Sequence, residues 1–126
     1  MSIFKNKLFI ALCGFALCTA APCWAWAHAV PERAEPAAGA ELHVSPPWVR
    51  VWFDAAVEPT LSTMRVLNDQ GQQVNMEKGQ VDPVNPQLLE VHIPPLRPGV
   101  YRVYWSVVTS DGHSTHGDYV FTVKNK

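Results

Sequence analysis

Near the C-terminal end of this 126-residue chain, Ser110-Asp111-Gly112-His113-Ser114-Thr115-His116-Gly117 gathers the densest set of metal-capable side chains in the sequence. A carboxylate at Asp111 and an imidazole at His113, on either side of a glycine that lets the backbone turn tightly, can aim an oxygen and a nitrogen at one ion. Two ligands hold a transition metal poorly, so the chain must bring further donors to them. Asp-Gly is also an ordinary hairpin turn pair, and a loop histidine is more often simply solvated. The pair alone therefore does not establish a metal site.

The N-terminal region supplies the missing donors if it is processed. Lys5 and Lys7 precede an apolar run from Leu8 to Ala21, and small residues follow, which is the pattern of a secretory signal peptide. An uncleaved membrane anchor is the competing reading, because apolar character continues almost to Val30; Pro22 and the alanine-rich end favour cleavage. Ala25-Trp26-Ala27 is a small-x-small site that makes residues 1–27 the signal and His28 the first mature residue. Ala27-His28-Ala29 fits as well and would leave Val30, and pattern does not choose between them. With His28 exposed, one residue offers two nitrogens, its α-amine and its imidazole, closing a chelate ring on one ion. His113 adds a third nitrogen and Asp111 an oxygen, a tetragonal N,O set that points to Cu(II). Zinc is compatible with the ligand types, but it prefers a tetrahedron and ranks below Cu(II) in intrinsic affinity.

Composition narrows the class. A formal charge of −1 gives no basic field, so nothing supports nucleic-acid binding. Cys13, Cys18 and Cys23 all precede either cut, and none has the context of a lipoprotein site. The mature domain, residues 28–126, is therefore expected to have no disulfide, no free thiol and no lipid anchor. Removing residues 1–27 takes away two of the ten basic residues and none of the eleven acidic ones, leaving an exported, mildly acidic domain. About 100 residues suffice for one core without covalent staples.

Eleven prolines argue against long helices and for short strands joined by turns. Glu35-Pro36-Ala37-Ala38-Gly39-Ala40 reads as a turn or an edge crossing. Trp48 to Phe53 alternates, with Val49, Val51 and Phe53 on one face and Trp48, Arg50 and Trp52 on the other. Further strands are expected at Leu42 to Ser45, Ser62 to Leu67, Gln72 to Asn75, Leu88 to Ile93, Val100 to Thr109 and Tyr119 to Val123. Asn68-Asp69-Gln70-Gly71 is the turn after Leu67. About seven alternating strands with no convincing helix predict an all-β protein, a Greek-key antiparallel β-sandwich or barrel. In such a fold a chain terminus can lie beside a remote loop. The polar stretch from Ser110 to Gly117 then becomes the connection between the last two strands. Trp48, Trp52 and Trp105 read as core or inter-sheet packing.

Val100-Tyr101-Arg102-Val103-Tyr104-Trp105-Ser106-Val107-Val108-Thr109-Ser110-Asp111-Gly112-His113, followed by Gly117-Asp118-Tyr119-Val120-Phe121-Thr122-Val123, closely resembles the C-terminal signature of the CopC family of periplasmic copper-binding proteins. Pro36 to Ala40, the strand through Phe53 with Val57-Glu58-Pro59 after it, and Pro98-Gly99-Val100-Tyr101 resemble other landmarks of that family. The resemblance implies a cupredoxin-like or immunoglobulin-like β-sandwich and one Cu(II) per chain, held by His28, Asp111 and His113. It also implies a cut after Ala27, a periplasmic location and a role in copper homeostasis or resistance. Delivery to an inner-membrane transporter of the CopD type is a further implication, and a monomer is expected. Some family members carry a methionine-rich Cu(I) site; beyond the signal this chain has only Met64 and Met76, which points to Cu(II) alone.

His116 is a bystander or an outer partner of the site, His43 reads as exposed, and His92 alternates away from Leu89, Val91 and Ile93 into solvent. The leading reading is a non-enzymatic copper carrier. A histidine-brace oxidative copper enzyme is the enzyme alternative, opposed by Asp111 taking the position that oxygen activation needs open. A non-metal immunoglobulin-like interaction module is the third. N-terminal sequencing of the exported protein is expected to read His-Ala-Val-Pro. A start at Val30 contradicts the ligand set.

Overall fold

The computed structural model describes residues 29–125; the expected signal peptide and His28 lie outside the described residues. The strands are β1 (Pro31–Glu35), β2 (Glu41–Leu42), β3 (Trp48–Phe53), β4 (Thr63–Leu67), β5 (Gln80–Val81), β6 (Leu88–His92), β7 (Gly99–Val108) and β8 (Ser114–Val123). Among the described residues there is no helix. Two four-stranded sheets form, one in the order β1-β3-β6-β5 and the other in the order β2-β8-β7-β4. The chain passes from sheet to sheet between β1 and β2, β2 and β3, β3 and β4, β4 and β5, and β6 and β7, the crossing connectivity of Greek-key sandwiches. All pairings are antiparallel except that of β2 with β8.

The alternating residues meet between the sheets as their pattern requires. Val49, Val51 and Phe53 of β3 are fully buried, with Val49 opposite Val91 and Val51 opposite Leu89 on β6. From the other sheet Val66, Val103, Val107 and Phe121 face them. The ring of Trp105 stands edge-on to Phe53 at 5.1 Å, bridging the two sheets. The expected crossing between Glu35 and Ala40 is where β1 leaves the first sheet: Glu35-Pro36 is cis, and Gly39 N–H donates to the carbonyl of Val120 on β8.

Several expectations are corrected. Gln72 to Asn75 does not form a strand; only Gln73 bridges to Leu67. Two backbone bonds flank that bridge, Asn68 N–H to the Gln72 carbonyl and Val74 N–H to the Val66 carbonyl. Beyond them the Asn75 side chain takes over, its Oδ1 accepting from Val66 N–H and its Nδ2 donating to the carbonyls of Met64 and Glu77. Gln80–Val81 pairs with β6 instead. Trp48 and Trp52 are not core residues. They lie half-buried on the outer face of their sheet, where Arg50 covers Trp48 at 5.0 Å, Arg33 covers Trp52 at 4.4 Å, and His92 meets Trp48 edge-on.

The largest correction concerns β8, which begins at Ser114 rather than near Tyr119. Its first half carries no apolar alternation because its inward positions are Thr115 and Gly117. Gly117 is opposite Trp105, and a Cβ there would stand 2.4 Å from Trp105 Cζ2. The indole fills the space that an inward side chain would otherwise take, so glycine is required by packing rather than by a turn. Gly117→Ala is expected to destabilise the domain by about 1–3 kcal/mol through overpacking, read as a lower urea midpoint. An unchanged midpoint contradicts this packing.

Candidate metal centre

Extension of β8 shortens the connection that carries Asp111 and His113. The β7–β8 ladder runs without a break from Gly99 opposite Val123 to Val108 opposite Ser114. It closes with Thr109 N–H donating to the His113 carbonyl at 2.8 Å and Gly112 N–H donating to the Thr109 carbonyl at 2.9 Å. Gly112 has φ +88°, the left-handed conformation that a type I turn followed by a bulge demands. Asp-Gly is thus the turn chemistry of a tight hairpin, and the same turn presents the candidate ligands.

Asp111 and His113 are brought together. Asp111 Oδ2 lies 2.9 Å from His113 Nδ1, and both side chains are partly exposed, at 48% and 38%. The other carboxylate oxygen accepts from the Thr109 hydroxyl and, at 3.4 Å, from His113 N–H. Thr109 is itself buried, and its hydroxyl, whose one proton goes to Asp111, also lies 3.2 Å from the His113 carbonyl. The carboxylate is therefore oriented from the strand end, one oxygen engaged and the other directed at the imidazole. The Thr109 hydroxyl, and after it the His113 side chain, hold the Asp111 carboxyl down at about 2.

Other parts of the chain converge on this end of the sandwich. Residues 54–58 run beside the loop, with Val57 bridged to Thr109 and Glu58 N–H donating to the Val108 carbonyl at 2.7 Å. Ala29, the residue next to His28, is buried in the core, and its carbonyl accepts from Thr115 Oγ1 at 2.9 Å. Thr115 is half-buried on the inward face of β8, and His113, one residue before the strand begins, is half-buried as well. Val30 is held to Asp54 by two bonds, Val30 N–H to Asp54 Oδ1 at 2.8 Å and Asp54 N–H to the Val30 carbonyl at 3.0 Å.

The remaining histidines separate from the pair. His116 is exposed, pairs with Ser106 and, by strand alternation, lies on the outer face of its sheet, away from Thr115 and Ala29. His43 and His92 are exposed, as expected. Met64 is a core residue and Met76 is 91% exposed. Among the described residues, no group of three or more His, Cys, Asp or Glu side chains is placed to hold a metal ion. Asp111 and His113 are a two-ligand half-site. His28, the other ligand implied by the sequence, lies outside the described residues.

Three residues that make these contacts escape a reading by ligand type: Thr109, which bonds to Asp111, and Thr115 and Asp54, which bond to Ala29 and Val30. The Thr-x-Asp spacing at 109 and 111 is the one local signal, since hydroxyl and carboxylate side chains two apart bond readily in turns.

The lowered Asp111 value has a sign. The stabilisation this carboxylate gives the loop is fully present above an unfolded value of about 3.9 and is lost as pH falls through about 2. In Thr109→Val the Asp111 carboxyl, followed by carbon NMR, should titrate closer to the ordinary value. An unmoved titration contradicts the role given to the hydroxyl.

Comparison with known proteins gives a consistent picture. The family model described as "CopC domain" matches residues 31–124. Protein YobA of Escherichia coli strain K12 is 32% identical over 102 residues, covering 79% of this chain and 81% of that protein. Among solved structures, CopC from Methylosinus trichosporium OB3b superimposes with a TM-score of 0.73 at 34% identity, over 78% of this chain and 95% of that one. PcoC, a methionine-rich copper resistance protein from Escherichia coli, gives 0.64 at 26% identity, over 78% and 100%.

Proposed function

Because the chain belongs to the CopC family, we propose that it is a periplasmic Cu(II)-binding protein that carries or sequesters copper and hands it to an inner-membrane transporter of the CopD type. Copper is its cargo, one ion per chain, and the chain is not an enzyme. The ligands are the α-amine and imidazole of His28, the imidazole of His113 and the carboxylate of Asp111, after export and a cut behind Ala27.

The observation that carries this reading is the 2.9 Å separation of Asp111 Oδ2 and His113 Nδ1. Two ligands on one ion, each at about 2.0–2.1 Å and at right angles, stand about 2.9 Å apart. The two side chains face each other across that gap in a close polar contact, and copper would bind between them. A nitrogen and an oxygen so arranged suit the equatorial plane of a tetragonal Cu(II) ion better than a tetrahedral zinc site. Burial of Ala29 supports the cut after Ala27. A cut after Ala29 would remove a core residue that is 2% exposed, together with the carbonyl that Thr115 holds.

PcoC is described as methionine rich. Here Met64 is buried and Met76 stands alone on the surface, so the soft donors that select Cu(I) are not gathered anywhere among the described residues. The cargo is the oxidised ion, held by nitrogen and carboxylate oxygen.

Protons compete with copper for the nitrogens. Reference values are about 7.7–8.0 for an α-amine and about 6.5 for histidine, so both ligand types gain protons as pH falls and affinity falls with them. Asp111, held at about 2, stays ionised through that range and does not set the midpoint. The processed protein should take up one equivalent of Cu(II) and lose it between neutral and mildly acid pH. His28→Ala and His113→Ala should each weaken binding at least about tenfold. A flat pH profile, or unchanged affinity in both variants, rejects the ligand set.

A further inference from the structure

The described residue nearest to His28 is held with unusual completeness for a chain end. Termini are ordinarily poorly ordered unless tied down, yet Ala29 is 2% exposed and its carbonyl takes a hydrogen bond from a side chain 86 positions away. Val30 has both backbone polar groups satisfied by one residue, Asp54. Pairing of β1 with β3 begins only at the next residue, Pro31 opposite Phe53, so these bonds are additional to the sheet.

Their placement carries the argument. His113 stands two residues before Thr115, so their Cα atoms are at most about 7 Å apart. The Thr115 hydroxyl, from that neighbouring position, holds the Ala29 carbonyl. Asp54 fixes Val30, at the start of the 54–58 segment whose Val57 is bridged to Thr109. Ala29 is thereby held at a defined point near the half-site, and consecutive Cα atoms are only about 3.8 Å apart. A loose terminus would pay ordering entropy each time it closed on a metal.

Resting on the reading of the site given above, we infer that Thr115 and Asp54 are positioning residues for the metal centre, clamping Ala29 and Val30 so that the N-terminal residue is delivered to Asp111 and His113 before copper arrives. Neither touches the ion. Thr115 contributes a hydroxyl to a carbonyl and Asp54 a carboxylate oxygen to an amide, so each role is separable by a conservative substitution.

The test uses the processed protein as exported, with Cu(II) itself as probe, comparing wild type, Thr115→Val, Thr115→Ser, Asp54→Ala, Asp54→Asn and His113→Ala. Affinity is measured by competition with a chelator, and the coordinated nitrogens are read from electron paramagnetic resonance. Thr115→Val and Asp54→Ala should bind Cu(II) about ten- to a hundredfold more weakly with an altered nitrogen hyperfine pattern. Thr115→Ser and Asp54→Asn, which keep the bonding atoms, should restore both affinity and spectrum. If Thr115→Val does not fold, Asp54→Ala decides alone, since the Asp54 backbone bond to Val30 remains in it. Wild-type affinity and spectrum in the clamp variants, with binding lost in His113→Ala, overturn the positioning role and leave the site intact. Wild-type binding in His113→Ala removes the site, and the positioning role with it.

Discussion

The register of β7 against β8 is the constraint on which everything else in this protein depends. Ten consecutive pairs run from Gly99–Val123 to Val108–Ser114 without a bulge. A slip of one residue would exchange the faces of every side chain on β8. Phe121 and Val123 would leave the core, and Thr115 would trade faces with His116. The register is fixed at three places: by Phe121 stacked against Tyr101 in the core, by Trp105 lying where a side chain at 117 would be, and by the Thr109–His113 hydrogen bond that closes the hairpin. Placement of His116 on the outer face is thus a packing decision made several residues away.

Core and candidate site are continuous rather than adjoining. Trp105 bridges the sheets through Phe53 and dictates glycine at 117, which lets β8 reach the hairpin at full length. Ala29 belongs to the core cluster and accepts from Thr115. Thr109 is buried and orients the exposed Asp111. Each exposed or terminal group of the half-site is held by a buried or strand-borne one, which is how a small rigid domain presents ligands without a preformed cage.

Much of this was legible in the chain. Alternation at Val49, Val51 and Phe53, at Leu89, Val91 and Ile93, and at Tyr119, Phe121 and Val123 identified the strands because these faces are apolar and buried. The first half of β8 was not legible, because its inward positions are a threonine bonded to a carbonyl and a glycine displaced by an indole. Neither leaves a hydrophobic period. Gln72 to Asn75 looked like a strand because it does turn back on Leu67 through one bridge, and nothing in the sequence shows that the Asn75 amide ends the ladder there. Trp48 and Trp52 were misread as core since aromatic residues carry the same signal when covered by arginine as when covered by a second sheet. Asp111 and His113 were legible by chemical type. Thr109, Thr115 and Asp54 were not, because residues that position ligands are recognised only once the distances exist.

The most direct measurement is a crystal structure of the processed protein loaded with Cu(II), with the ion located by its anomalous scattering. One copper should stand within bonding distance of the His28 amine and imidazole, the His113 imidazole and the Asp111 carboxylate, with Thr115 still bonded to the Ala29 carbonyl. Copper found instead on His116 or His92 on the outer faces, or bound to Asp111 and His113 without His28, would contradict it.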